Sequence, residues 1–171
     1  RVGDIRARSR ELEREVAERT AELAAVNAIA AVVSRSLDLD EILADALDKT
    51  LELMDIELGG IYLVDEEAGL LSIAVQRGFR SEVVAEIDEL KIGEGFSGRV
   101  AQSGEVLVVR DVSADPRLTR LAVQEEGLRS LVVVPLWAKG KALGTLFAAT
   151  RGYREFADRD VQLLTSIGQQ I

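Results

Sequence analysis

The chain has neither cysteine nor histidine. That excludes disulfides, thiolate or imidazole metal centres, a haem held by histidine and a bilin attached through cysteine, so no haem, bilin or metal site is expected. Ser-His-Asp, Cys-His and histidine general-base catalysis are excluded as well. An enzyme built from this sequence would have to run on carboxylates, lysine, tyrosine or a bound metal. Aromatics are scarce (four Phe, two Tyr, one Trp), and 21 basic residues against 30 acidic ones leave a net charge of −9. Neither basic clusters nor interleaved aromatics occur, which argues against nucleic acid and against docking on anionic lipid. No apolar run approaches the length of a membrane span; the longest, 131–138, is broken by Pro135. The sequence begins at Arg1 and shows no signal peptide. The expectation is a cytoplasmic piece of a longer protein, whether or not that protein is anchored in a membrane.

What the chain does have is apolar content, 47% of 171 residues, enough for one cored domain plus an extension. Residues 1–33 are the extension and read as one helix with a seven-residue repeat. Val2, Ser9, Val16, Leu23, Ala30 and Leu37 fall at a, and Ile5, Leu12, Arg19, Val26 and Val33 at d. A helix this polar has nothing to bury its stripe against except another helix. The reading is a parallel homodimeric coil with Ile5, Leu12, Val16, Leu23 and Val26 at its interface, against the alternative that it folds back on its own domain. Arg8 at g and Glu13 at e attract across such a pair.

The domain proper then occupies 34–171. Asp38 with Glu41 three residues on reads as a capping box restarting a helix, whose buried face is Ile42, Leu43, Ala46, Leu47, Thr50, Leu51 and Met54. Strands follow at 60–64 and 70–76 across an acidic turn, then a short helix within 81–90. A further strand is read at 106–110, a helix at 118–126 ended by Gly127, strands at 130–137 and 141–150, and a last helix from Asp158. Pro135 belongs at a bulge or a pairing gap. Helix, helix, hairpin, short helices, strand, helix, hairpin, helix makes an α+β fold: an antiparallel sheet with long helices on one face and loops with short helices on the other.

Between these elements lies a stretch with glycines at 93, 95 and 98, opening onto a short helical run at 100–102. No Lys-Ser/Thr follows, so it is not a P-loop, and the run is too short for the crossover helix of a dinucleotide fold. Glycines here let backbone approach either a ligand anion or a neighbouring strand.

The runs IGEGFSGRVAQSGE at 92–105, VLVVRDVSADPR at 106–117, SLVVVPLW at 130–137, GTLFAA at 144–149 and FADRDVQLL at 156–164 resemble a GAF domain, in order. The piece ELEREVAERTAEL at 11–23 resembles the linker helix of bacterial sensor proteins. The resemblance implies a PAS-related fold with the first and last helices packed together. It also implies a regulatory sensor, with a histidine kinase as the expected parent, relaying a shift to an output domain after residue 171, or else a ligand-free dimerisation and relay unit. A small molecule would lie between the sheet and a cover made of the glycine stretch, the Asp-Pro-Arg loop and the helix after it. The matching positions are Phe96, Asp111, Arg117, Leu118 and Leu121. Phe96 is a ring to stack on or ordinary core, Asp111 a ligand contact or a loop cap, and Arg117 an anion clamp or the partner of a neighbouring acid. Phe156 and Asp160 match only the later part of the cyclic-nucleotide motif, and the Asn-Lys pair is missing near 150–151. Members that use a pocket Cys for methionine sulfoxide reduction are excluded. The acid runs Asp65-Glu66-Glu67 and Glu125-Glu126 read as surface, and no carboxylate pair is placed for catalysis, so an enzyme is not expected.

Overall fold

The computed structural model describes residues 2–117 and 125–170, with the side chains among them other than those of residues 2–6, 29, 31–37 and 170. Two compact units result, Arg1–Leu39 and Asp40–Ile171. A single helix, α1, is assigned from Val2 to Met54. The expected restart at Asp38 is therefore wrong: Asp38 is inside the helix, not at its N-cap. Nothing between 34 and 54 is Gly or Pro, so no residue there forces a break. α1 ends where Asp55 turns left-handed at φ 55° and the Ile56 N–H donates to the Leu51 carbonyl at 2.9 Å.

In the first unit, Leu12, Val16, Leu23 and Val26 are 60–64% exposed. Arg19 pairs with Glu15 on its own helix at 3.4 Å. The side chain of Ile5 lies outside the described residues.

The second unit is built on six antiparallel strands: β1 (Leu58–Asp65), β2 (Leu70–Arg77), β3 (Glu89–Lys91), β4 (Leu107–Val109), β5 (Ser130–Ala138) and β6 (Lys141–Thr150). Their order is β3-β2-β1-β6-β5-β4, which leaves the two three-residue strands at the edges. Three described helices accompany them, α2 (Ser81–Ile87), α3 (Gly95–Ser103) and α4 (Asp158–Gln170), with a 3₁₀ turn at Val112–Ala114. β3 was not foreseen. It is too short to show an alternation, and its place comes from pairing with β2 through Leu70–Lys91 to Ser72–Glu89.

Alternation along the central strands makes two cores. Ile61, Val132, Val134, Leu136, Leu146 and Ala148 face Leu43, Leu47, Leu51 and Met54 of α1 and Leu164 of α4. On the opposite face Leu58, Tyr62, Leu71, Leu131, Val133 and Phe147 meet Phe96 and Val100 of α3, Val112 and Leu128. The end of α1 and α4 thus cover one side of the sheet together. Each fully buried leucine in that layer contributes about 2 kcal/mol. Ile42 does not join it: it is 53% exposed, because the helical arc that reaches the sheet is taken by Leu43 and Leu47.

Two bulges set which way side chains point. β1 and β2 pair Ile61 with Val75 but Tyr62 with Ile73, leaving Ala74 as the extra residue. Ile73 therefore packs on the α3 side and Val75 on the α1 side, although regular alternation would put residues two apart on one face. Pro135 keeps register opposite Thr145, and the second bulge comes between Leu136 and Trp137.

Candidate functional site

The side of the sheet away from α1 is covered by α3, the 3₁₀ turn and the residues flanking 118–124. The glycine stretch makes close backbone contacts of its own. Gly93 takes φ 91° and donates its N–H to the Gly98 carbonyl at 2.8 Å. A Cβ on Gly98 would stand 2.5 Å from the Lys91 carbonyl of β3 and 3.2 Å from the Gly93 nitrogen. Of the two readings of this glycine stretch, close approach to a strand accounts for its geometry. α3 also begins at Gly95, not at Val100, so Gly95 and Gly98 fall in its first turn.

Phe96 is 8% exposed within the core of this face. Arg117 lies over its ring, 6.0 Å from guanidinium carbon to centroid. Arg117 is also held by Asp115, through Nε at 2.9 Å and Nη2 at 2.6 Å. The Arg117 hydrogen bond lowers the Asp115 carboxyl below its ordinary range, overcoming the opposing effect of burial. Phe96 and Arg117 thus come together as a ring and a neutralised cation.

Asp111 is elsewhere in the network. Its Oδ1 accepts from the Ser113 N–H at 3.1 Å and the Ser113 hydroxyl at 2.6 Å, capping the 3₁₀ turn. Its Oδ2 accepts from Tyr153 at 3.2 Å, and Arg129 stands 3.8 Å away. The Ser113 bond first, then Tyr153 and Arg129, hold its carboxyl low against burial. Leu118 and Leu121 lie outside the described residues.

One buried cluster was missed by the sequence reading. Glu126, expected at the surface, is 2% exposed at its side chain and bound by Arg80 at 3.1 Å and Arg151 at 2.5 Å. Burial alone would push this carboxyl up; hydrogen bonds from Arg151 and Arg80 outweigh it and bring the pKa down. The acid run gave no sign of this, because both arginines come from distant parts of the chain. Glu66, by contrast, is an exposed acid bridged to Lys141 at 3.4 Å.

Asp160 caps α4, accepting from the Ala157 N–H at 3.1 Å, and Phe156 packs on the α1 side of the sheet. Neither faces the α3 cover. Among the described residues no group of three or more carboxylates could hold a metal, and no helix is long and apolar enough to cross a membrane.

Comparison with known proteins follows the same architecture. The chain is 30% identical over 157 residues to the Nif-specific regulatory protein of Azospirillum lipoferum, covering 88% of this chain and 25% of that protein. It therefore spans about a quarter of the length of the curated relatives it matches. The GAF domain region of a putative membrane protein from Geobacter sulfurreducens superposes with TM-score 0.69 at 28% identity, covering 81% of this chain and 93% of that one. The domain of a putative two-component sensor histidine kinase from Sinorhizobium meliloti shares the fold, with TM-score 0.64 at 22% identity over 76% of this chain and 85% of that one. The GAF domain family model matches residues 36–171. Its glycine turn, its two-faced antiparallel sheet and this match together make the chain a member of the GAF domain family.

Proposed function

We propose that this GAF domain is the regulatory input module of a larger cytoplasmic signalling protein, paired with a second copy through the first half of α1. The observation that carries the reading is the stripe Leu12, Val16, Leu23 and Val26, left 60–64% exposed at heptad spacing on α1. The same helix ends as part of the sheet's own core, through Leu43, Leu47 and Leu51. A change of packing in the domain therefore has a covalent route to the dimer. The relatives' names favour a regulatory protein over a catalyst, and the lack of His and Cys supports the same choice. This chain is 30% identical to the Nif-specific regulator and 22% identical to the histidine kinase domain, which favours the former as a guide to the parent.

The ligand in this reading is a small molecule held under the α3 cover beside Phe96. Its effect is limited to its difference in affinity between the two states of the cover. A second reading, a relay unit without ligand, is favoured by one specific observation. The groups nominated for binding are satisfied internally, Arg117 by Asp115 and Asp111 by Ser113 and Tyr153.

A native mass spectrum of the purified chain separates these. A dimer with retained extra mass supports the sensor. A dimer of bare chain mass, unchanged by a metabolite library in a thermal-shift screen, leaves the relay. A monomer overturns the pairing.

A further inference from the structure

Three residues in the connector between β6 and α4 are each bonded to a different part of the domain. Arg151 donates through Nη2 to the buried Glu126 at 2.5 Å and to the Gly78 carbonyl at 3.2 Å. The Tyr153 hydroxyl donates to Asp111 at 3.2 Å. Arg154 donates its backbone N–H to Ser130 Oγ at 2.9 Å and its Nη1 to the Met54 carbonyl, in the last turn of α1, at 2.6 Å. Ser130, itself fully buried, passes the contact on by donating to the Arg110 carbonyl at 2.8 Å, one residue before Asp111.

We propose that this connector is the coupling element of the domain, joining Asp111 and Glu126 on the covered face to the ends of both long helices. The inference rests on the regulatory reading above and names the part through which regulation passes. Three physical facts support it. A carboxylate as buried as Glu126 cannot be left without its cations cheaply, so Arg151 follows wherever Glu126 goes. The last carbonyls of a helix have no intrahelical donor, and Arg154 supplies one to Met54 from outside α1. The Arg154 guanidinium stands 5.6 Å from the centroid of the Phe156 ring, which fixes it just ahead of α4. A shift at Glu126 or Asp111 therefore reaches the end of α1 and the start of α4 through one short piece of chain, by direct contacts at every step.

The test needs no ligand. Amide hydrogen exchange is followed by mass spectrometry in the full chain, in Glu126→Gln, in Arg154→Met and in the double variant. Glu126→Gln is expected to speed exchange roughly tenfold around 125–129 and also in the last turn of α1 and the first turn of α4. With Arg154→Met already in place, the same substitution should act near 125–129 and no longer reach α1. An α1 response that is absent in Glu126→Gln, or equally large without Arg154, overturns the proposal. If Glu126→Gln fails to fold, Tyr153→Phe replaces it, since it removes one exposed hydrogen bond and keeps the buried cluster. Ligand binding is not probed, so a negative result here leaves the sensor reading intact, and a domain without ligand leaves the coupling intact.

Discussion

Arg117 is bound by Asp115, two residues before it, through two parallel hydrogen bonds of 2.9 and 2.6 Å. The pair closes the loop under which Phe96 is buried, so its first role is to hold that loop. Replacing Arg117 with Met keeps an apolar stem over Phe96 but removes the charge. We expect a loss of about 1–2 kcal/mol in urea unfolding at neutral pH, because the pair is only partly shielded from water.

The same pair has a pH signature. Asp115 has a lowered pKa in the folded chain, so its contribution is complete above its unfolded value near pH 4 and fades as pH falls through the folded one. The stability gap between the native chain and Asp115→Asn should hold from neutral pH down to about pH 4 and close below it. Chemical denaturation at a series of pH values measures it. A gap that is unchanged well below pH 4 would contradict the pairing.

Arg151 and Arg80 both serve Glu126, but not equally. Arg151 makes the shorter contact and also binds the Gly78 carbonyl. Arg151→Ala should therefore destabilise more than Arg80→Ala, by about 2 kcal/mol against about 1 kcal/mol, since each leaves a buried carboxylate with one cation fewer. Equal melting temperatures for the two variants would refute the ranking.

Glycine positions separate cleanly by space. Gly98→Ala forces a Cβ against backbone of β3 and should cost about 2 kcal/mol, whereas Gly152→Ala meets nothing within 4 Å and should stay within about 0.5 kcal/mol of the native chain. Thermal melts of the two variants decide it.

On the coil, Leu12→Lys with Leu23→Lys should convert a dimer to a monomer in sedimentation equilibrium and leave the domain's own melting transition in place. An unchanged mass would remove the pairing from the proposed function.

Much of this fold was readable because its strands are long and its punctuation strong. The hairpins at 58–77 and 130–150 are marked by apolar runs with Gly-containing turns, and Gly127 takes φ 79°, while most of the helix read at 118–126 lies outside the described residues. What failed to read depended on partners distant in sequence. The Ala74 bulge is invisible in LLSIAVQR, since it exists only against β1. Glu126 looked solvated because Arg80 and Arg151 meet it only after folding. The capping box at Asp38 was a valid local signal, but no Gly or Pro on either side breaks the helix there. At the candidate site, residue types were legible but their partners were not: Phe96 is packed in the core under Arg117, Asp111 is bonded to Ser113 and Tyr153, and Arg117 to Asp115.

The two edge strands of the sheet are three residues each, while the most apolar strand, β5, is enclosed between β6 and β4. An edge this short gives another chain little to pair with, so growth of the sheet from molecule to molecule is blocked in the native state. The segment LVVVPL within β5 is apolar, β-branched and uncharged, and Pro135 interrupts it. Protection against fibril growth is thus present twice, once by enclosure while the domain is folded and once by proline when it is not.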